Sequence, residues 1–418
     1  MKVLHLCFSD SRGGGFIGAY RLHRAMLGEG IDSRMLVVDK HTNDPAVKSF
    51  SLSKRLLNRV NRTASAAILK LQRHIDGGVH SLNIFPTGTH RLINNSDADV
   101  VQLHWINKNM ISIGEIAKIR KPLFWKLPDM WAFCGTEHYM KPGDRKRYQE
   151  GYSQHNRQEL DGGLDLDRYL WQYKIKRWAG ADFSIVCPSR WLADCARESE
   201  LFRARQVHNI ANPIDLEIYR PAASQLAAKK LFGLSTKKKA ILFGSLSAIT
   251  DRRKGFHHLQ KAIAILSQSE SASGLELVIL GESGPSDTKL HQLPVKYLGT
   301  VRDDSTLVNA YSAADVMVLP AELDNLPNTI QEATACGTPC VGFSVGGLPD
   351  MITHEETGYL ARPFDEVDLA RGIQWVLSQP ADKLSEAVRA SAVNTHNPAD
   401  RVAQYLAIYR EKLDRRTS

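Results

Sequence analysis

Short continuous apolar runs of about four to six residues recur along this chain, each followed by text with helical spacing, and few architectures admit that alternation. A strand apolar at every position must be covered on both faces, which is the condition of a parallel sheet with helices on either side. The runs form two series. Residues 3–8, 33–38, 100–104, 122–127, 183–187 and 206–210 make the first; residues 240–244, 275–280, 295–298, 316–319 and 340–343 make the second. Between them Asn212-Pro213-Ile214-Asp215-Leu216-Glu217-Ile218-Tyr219-Arg220-Pro221 carries two prolines and no periodicity. The expected organisation is a doubly wound α/β domain over 1–212, a linker at 213–222, a second such domain over 223–397 and a final helix over 398–418. Val402, Tyr405, Leu406, Ile408 and Tyr409 form that helix's apolar side.

With 418 residues, 43% of them hydrophobic and 24% charged, the chain is expected to be globular with room for two cores. No run reaches the roughly 20 apolar residues that span a bilayer. The opening run is too short for a signal peptide and reads as a first buried strand. The six cysteines lie scattered in apolar text, as buried thiols of a reducing cytoplasm would. Cys336 and Cys340 lack a second ligand pair, so no metal is expected there.

Charge divides unevenly. Residues 1–220 carry about +10 and residues 221–418 about −1, within a total of +9. No nucleic-acid-binding motif accompanies the basic half, so nucleic acid is not an expected partner. An anionic membrane surface or a diphosphate-lipid acceptor fits the same asymmetry. One helical stretch, 54–75, aligns Leu57, Val60, Ala64, Ile68, Leu71 and Ile75 in a stripe beside Lys54, Arg55, Arg59, Arg62, Lys70 and Arg73. It reads as a surface helix of the first domain or as a helix resting on anionic lipid.

The densest chemical text is Leu319-Pro320-Ala321-Glu322-Leu323-Asp324-Asn325-Leu326-Pro327-Asn328, followed by Thr329-Ile330-Gln331-Glu332-Ala333-Thr334-Ala335-Cys336-Gly337-Thr338-Pro339. A strand ends at Pro320, a polar loop follows, and the spacing predicts a helix from about Asn328 to a left-handed stop at Gly337. Asp324 precedes the helix, where backbone N–H groups and the dipole attract a diphosphate, and Glu332 lies inside it. Asp324 could instead be a simple helix cap. After the first strand, Gly13-Gly14-Gly15-Phe16-Ile17-Gly18 opens a helix and lets backbone approach an anion. Asp251-Arg252-Arg253-Lys254-Gly255 offers cations after a second-domain strand.

These segments together resemble the retaining glycosyltransferases of family 4. The matching text includes Asp324, seven residues, Glu332, then Gly337-Thr338-Pro339, together with Lys254-Gly255, Gly299-Thr300-Val301-Arg302 and Ser344-Val345-Gly346-Gly347. Three positions depart from that pattern: Asp324 stands for the usual Glu, Ser245 for an Arg, and Pro128 for a His in Lys126-Leu127-Pro128-Asp129-Met130-Trp131. The resemblance implies a GT-B fold, two Rossmann-like doubly wound domains facing a cleft, with the last helix crossing back to the first.

It also implies roles. Asp324 would hold sugar hydroxyls, and Asn325 and Leu326 would offer backbone N–H groups to phosphate. Lys254 with Arg252 or Arg253 would meet the diphosphate, Gly14 and Gly15 would close on it, Val301 would lie by the base, and Glu332 would bind the ribose. On the acceptor side His104, Asp129, Glu137 and His138 gather at strand ends, and either His104 or His138 could serve for the missing imidazole. The implied activity is retaining, metal-independent transfer from a UDP- or GDP-sugar to a glycan, lipid-linked acceptors of bacterial exopolysaccharide, O-antigen or capsule synthesis being the class the resemblance points to. No separate cofactor is expected, and the setting is cytoplasmic or peripheral on the inner face of the plasma membrane. A nucleotide-sugar epimerase and a non-catalytic sugar-nucleotide-binding component are the competing classes.

Overall fold

A computed structural model describes residues 1–11, 13–73, 78–140, 146–158, 161–244, 251–285, 288–301 and 303–417. Ile75, residues 245–250 with Ser245, and Arg302, all singled out above, lie outside the described residues. The chain divides into two compact units, Met1–Asn212 with Ala399–Ser418, and Pro213–Pro398.

The first unit is built on a seven-stranded sheet. In spatial order its strands are Val47–Ser49, Asp32–Asp39, Lys2–Ser9, Val100–Leu103, Leu123–Lys126, Ser184–Cys187 and Val207–Asn209. Every pairing is parallel. The central strands Val100–Leu103, Leu123–Lys126 and Ser184–Cys187 are buried at every position, as their largely apolar text favours, with Gln102, Lys126 and Ser184 buried among the apolar residues. The chain starts in mid-sheet, winds to one edge, then returns to wind to the other. The switch between Lys2–Ser9 and Val100–Leu103 leaves a crevice at their carboxyl ends, where open α/β sheets place ligands. The helix Pro398–Thr417 completes this unit. Val402, Tyr405 and Tyr409 share a cluster with Val3, Leu22, Val100, Phe124 and Val186, and the Tyr409 hydroxyl donates to Gln102 Oε1 at 2.6 Å.

The second unit repeats the plan. Its sheet runs Lys289–Leu290, Leu293–Gly299, Leu275–Leu280, Lys239–Gly244, Val316–Leu319, Cys340–Phe343 and Gly358–Ala361 in spatial order. All pairs are parallel except the short edge hairpin. Here the switch falls between Lys239–Gly244 and Val316–Leu319, so residues 251–255 and 320–326 follow its two strands. Residues 213–222, expected as a linker, pack into this unit. Ile214 and Tyr219 join its core, the Tyr219 hydroxyl donates to Asp304 at 2.7 Å, and Arg389 donates to the Tyr219 and Leu216 carbonyls. All six cysteines are buried and none forms a disulfide.

Candidate functional site

In the second unit the segment after Val316–Leu319 turns through Pro320–Asp324 before the helix Asn328–Ala335 begins. Pro327 occupies the cap position, and the Asp324 carboxylate bonds elsewhere. Asp324 is therefore not a cap. Its carboxylate accepts from Lys254 Nζ at 2.7 Å, with both side chains four-fifths or more buried. Its carbonyl accepts from Gly347 N at 2.9 Å. At Gly346, with φ +55°, an added Cβ would lie 2.0 Å from the same carbonyl oxygen. Gly346 and Gly347 thus fix the Asp324 backbone by close approach, which a larger residue would prevent.

Lys254 is set by the short 3₁₀ turn Arg252–Lys254, which Asp251 caps by accepting from Arg253 N at 3.1 Å. Gly255 ends the turn at φ +75°, where a Cβ would stand 1.7 Å from the Pro320 carbonyl oxygen. The turn therefore rests directly on the end of the neighbouring strand. A backbone bond from Glu322 N to the Arg253 carbonyl, 2.8 Å, ties the two loops together. Of the two candidate arginines, Arg253 pairs with Asp251 at 2.7 Å, while the exposed Arg252 lies 3.7 Å from Glu322. It is Lys254 that meets Asp324.

The structure places Glu332 one helical turn in, buried, accepting from the Tyr311 hydroxyl at 2.6 Å. Burial and then this carboxylate push the Tyr311 hydroxyl well above its ordinary range. Asn325 is buried beside Asp324, and Leu326 and Val301 pack partly against the second core. Tyr311 was not singled out by the sequence. Nor was the group His257, His258 and Glu322, whose donor atoms lie within 4.8 Å of one another and are the described residues best placed to hold a metal ion. His258 Nδ1 also faces Glu366 at 2.9 Å.

In the first unit the glycine segment opens the helix Gly14–Gly28. A Cβ at Gly15 would lie 3.1 Å from Pro128 and 3.8 Å from Trp105, so two segments far apart in sequence converge at the switch point. Trp105 stacks on His138 and donates to Asp129 Oδ2 at 3.0 Å. His138 Nδ1 meets the same carboxylate oxygen at 2.7 Å, and its Nε2 faces Ser81 Oγ at 2.9 Å and Asn107 Nδ2 at 3.2 Å. The Asn107 amide N–H can only donate, so Nε2 accepts and the ring proton sits on Nδ1, toward Asp129.

The two candidate histidines separate here. His104 is buried just past the strand Val100–Leu103 with its Nε2 at 2.9 Å from His5 Nδ1. Burial, reinforced by His5, holds its imidazole well below the usual range. His104, one of the two histidines expected at the sugar, is in this structure a neutral partner of His5. Glu137 accepts from the Tyr152 hydroxyl, and burial, then Asp167, raises its carboxyl. Nearby Lys174 is fully buried and donates to the Cys134 and Gly135 carbonyls at 2.8 Å. That group ties loops together through hydrogen bonds.

Comparison with known proteins now bears on this geometry. Residues 237–379 match the family model described as glycosyl transferases group 1. An uncharacterized glycosyltransferase of Methanocaldococcus jannaschii is 32% identical over 42% of this chain and 45% of its own. The N-acetyl-alpha-D-glucosaminyl L-malate synthase of Bacillus anthracis is 27% identical over 50% and 55%. The D-inositol 3-phosphate glycosyltransferase of Saccharomonospora viridis is 32% identical over 42% of each. The chain thus spans about half the length of the curated relatives it matches. Among solved structures, sucrose-phosphate synthase of Thermosynechococcus elongatus superposes with a TM-score of 0.68 at 19% identity, covering 98% of this chain and 99% of that one. Anabaena HepE in complex with UDP-glucose does so at 0.63 and 16%, covering 99% of each. Residues 237–379, with Lys254 and Asp324, carry the sequence of a glycosyl transferases group 1 domain, and the fold is the GT-B fold of two doubly wound α/β domains.

Proposed function

We propose that this protein is a glycosyltransferase of the retaining, metal-independent family 4 type, taking its sugar from a nucleoside diphosphate donor. The observation that carries the reading is the Lys254–Asp324 pair at the switch point of the second sheet, inside the matched segment. The donor complex of HepE, a protein of the same fold, supports a UDP-sugar as the first donor to try.

Lys254 then faces the diphosphate and Asp324 the sugar hydroxyls. The acceptor hydroxyl attacks C1 on the face that the phosphate leaves. The new C–O bond forms as the C1–O(phosphate) bond breaks, and the hydroxyl proton passes to the departing phosphate oxygen. Negative charge grows on that phosphate, so the ammonium of Lys254 stabilises the transition state more than the bound donor. No protein nucleophile is needed, and the remaining contribution is positioning. Asp129 and His138 are assigned to acceptor hydroxyls, with a lipid-linked glycan at the inner face of a bacterial membrane as the acceptor class.

The test is donor turnover by purified protein against a panel of UDP- and GDP-sugars, read as nucleotide release and as product anomeric configuration. Expected are release with one donor, retained α configuration, and unchanged rate in EDTA. Interconversion of the donor sugar without nucleotide release would establish an epimerase instead. A rate abolished by EDTA and restored by a divalent ion would assign His257, His258 and Glu322 to the chemistry and overturn the metal-independent reading.

A further inference from the structure

The helix Leu52–Leu69 is turned inside out. Its buried residues are Asn58, Asn61 and Ser65, while Leu52, Leu56, Leu57 and Val60 are 65%, 53%, 41% and 64% exposed. An ordinary surface helix does the reverse. The inward polar face is held by specific bonds. Asn58 Nδ2 donates to the Lys108 and Asn109 carbonyls at 2.8 and 2.9 Å, and Asn109 Nδ2 donates to Ser65 Oγ at 2.8 Å. Lys108 and Asn109 both have positive φ, so a dedicated turn receives this face. Ile68 and Leu69, at the helix end, are the apolar residues that pack into the first core. Beyond them Leu71 remains exposed, and its carbonyl accepts from the backbone of Leu164, also exposed. The apolar surface therefore continues past the helix.

The charges on this face have one sign. No Asp or Glu occurs between Asp44 and Asp76, a stretch holding seven Lys and Arg residues. Lys54 is used inward, donating to the Thr87 carbonyl at 2.7 Å. Arg55, Arg59, Arg62 and Lys70 are exposed. At 100° per residue, Leu52, Leu56, Val60 and Ala67 face outward opposite Asn58, Asn61 and Ser65, with Arg55, Arg59 and Arg62 along one flank.

We propose that this face docks on an anionic lipid bilayer, the helix lying flat with Leu52, Leu56 and Val60 among the acyl chain tops and its arginines on headgroup phosphates. Apolar residues that gain nothing in water are buried by the bilayer, and the one-signed flank matches its surface charge. Long arginine stems reach the phosphates while the leucines insert. The inference is independent of the donor site, because none of these residues belongs to the second unit.

The experiment is cosedimentation of the full chain with vesicles of phosphatidylcholine alone or with about one-third phosphatidylglycerol, at low and high salt, alongside size-exclusion light scattering. Binding to the anionic vesicles is expected. It should weaken about tenfold or more in Leu56→Asn/Val60→Asn and, separately, in Arg55→Gln/Arg59→Gln. An unchanged melting temperature in both variants shows that the exposed changes leave the fold intact. A tryptophan placed by V60W should shift its emission to the blue on the anionic vesicles. No binding by the unaltered chain overturns the proposal. So does full binding by Leu56→Asn/Val60→Asn, which would mean charge adsorption without insertion. A stable dimer that this variant dissolves, with no vesicle binding, would assign the face to a second copy of the chain instead.

Discussion

The Lys254–Asp324 bond is a close contact between the cation assigned to the diphosphate and the acid assigned to the sugar. Each holds the other in place while neither is fully exposed. Lys254→Ala is expected to lower nucleotide release about 100-fold or more with the fold retained, since one preorganised charge at a developing oxyanion contributes on that scale. A rise in KM with unchanged kcat would place Lys254 outside the chemistry. In the sequence this pair was legible as two separate motifs. Their union was not, because it depends on Gly346 and Gly347 gripping the Asp324 carbonyl from 22 residues downstream. The choice between His104 and His138 was equally hidden, since both are buried and only their partners tell them apart, His5 for the one and Asp129, Ser81 and Asn107 for the other. In the first unit, Glu115 shows a residue-scale effect of pH. Burial acts to raise its carboxyl, but bonds from His90, Thr87 and Ser112 outweigh it and hold the group at about 2. Its folded value lies below its unfolded one, so its stabilisation is present above about pH 4.5 and is lost as pH falls toward 2. That is on the order of 3 kcal/mol. Glu115→Gln should flatten the acid limb of a stability-versus-pH curve measured by urea unfolding.

At the level of elements, strands such as 275–280, 316–319 and 340–343 could be read directly, because burial on both faces makes nearly every position apolar, Glu276 being the exception. Val47–Ser49 and Gly358–Ala361 were missed. The first is a three-residue edge strand with one buried position, and the second is short and opens on glycine. The helix Leu52–Leu69 shows why periodicity finds a stripe without fixing its direction. The stripe read in the sequence, including Leu57, Val60 and Leu71, is largely exposed, and Leu52 and Leu56 extend it. The inward side was chosen by asparagine bonds to a turn about 50 residues away, which no local pattern contains. The turn Arg252–Lys254 depends on a different device, the left-handed Gly255 against Pro320. Gly255→Ala is expected to cost several kcal/mol, by steric overlap added to an unfavourable φ. Because the turn must lift to relieve it, Lys254 leaves Asp324. Turnover should therefore fall as far as in Lys254→Ala, with a lowered melting temperature that the lysine variant does not show. Equal activity to the unaltered protein would mean that the turn adjusts without moving Lys254.

For the whole molecule, two units with separate cores carry different charge and different chemistry. The basic excess lies in the first half of the sequence and the matched segment in the second. This division makes the location of the nucleotide a property that can be read without a product. A ligand that binds only the folded protein stabilises by mass action, about 2.7 kcal/mol at a concentration 100 times its Kd. Local opening is suppressed chiefly where the ligand bonds to backbone and side chains. Saturating UDP or GDP should therefore slow amide hydrogen exchange in residues 251–255, 320–326 and 346–347, the loops that surround Lys254 and Asp324. The Leu52–Leu69 helix and the strand Val207–Asn209 in the first unit should exchange at an unchanged rate. Lys254→Ala should abolish the protection at matched nucleotide concentration while leaving exchange in the nucleotide-free protein as it was. Protection centred instead on Trp105, Asp129 and His138 would put the nucleotide in the first unit and reverse the assignment of donor and acceptor sides.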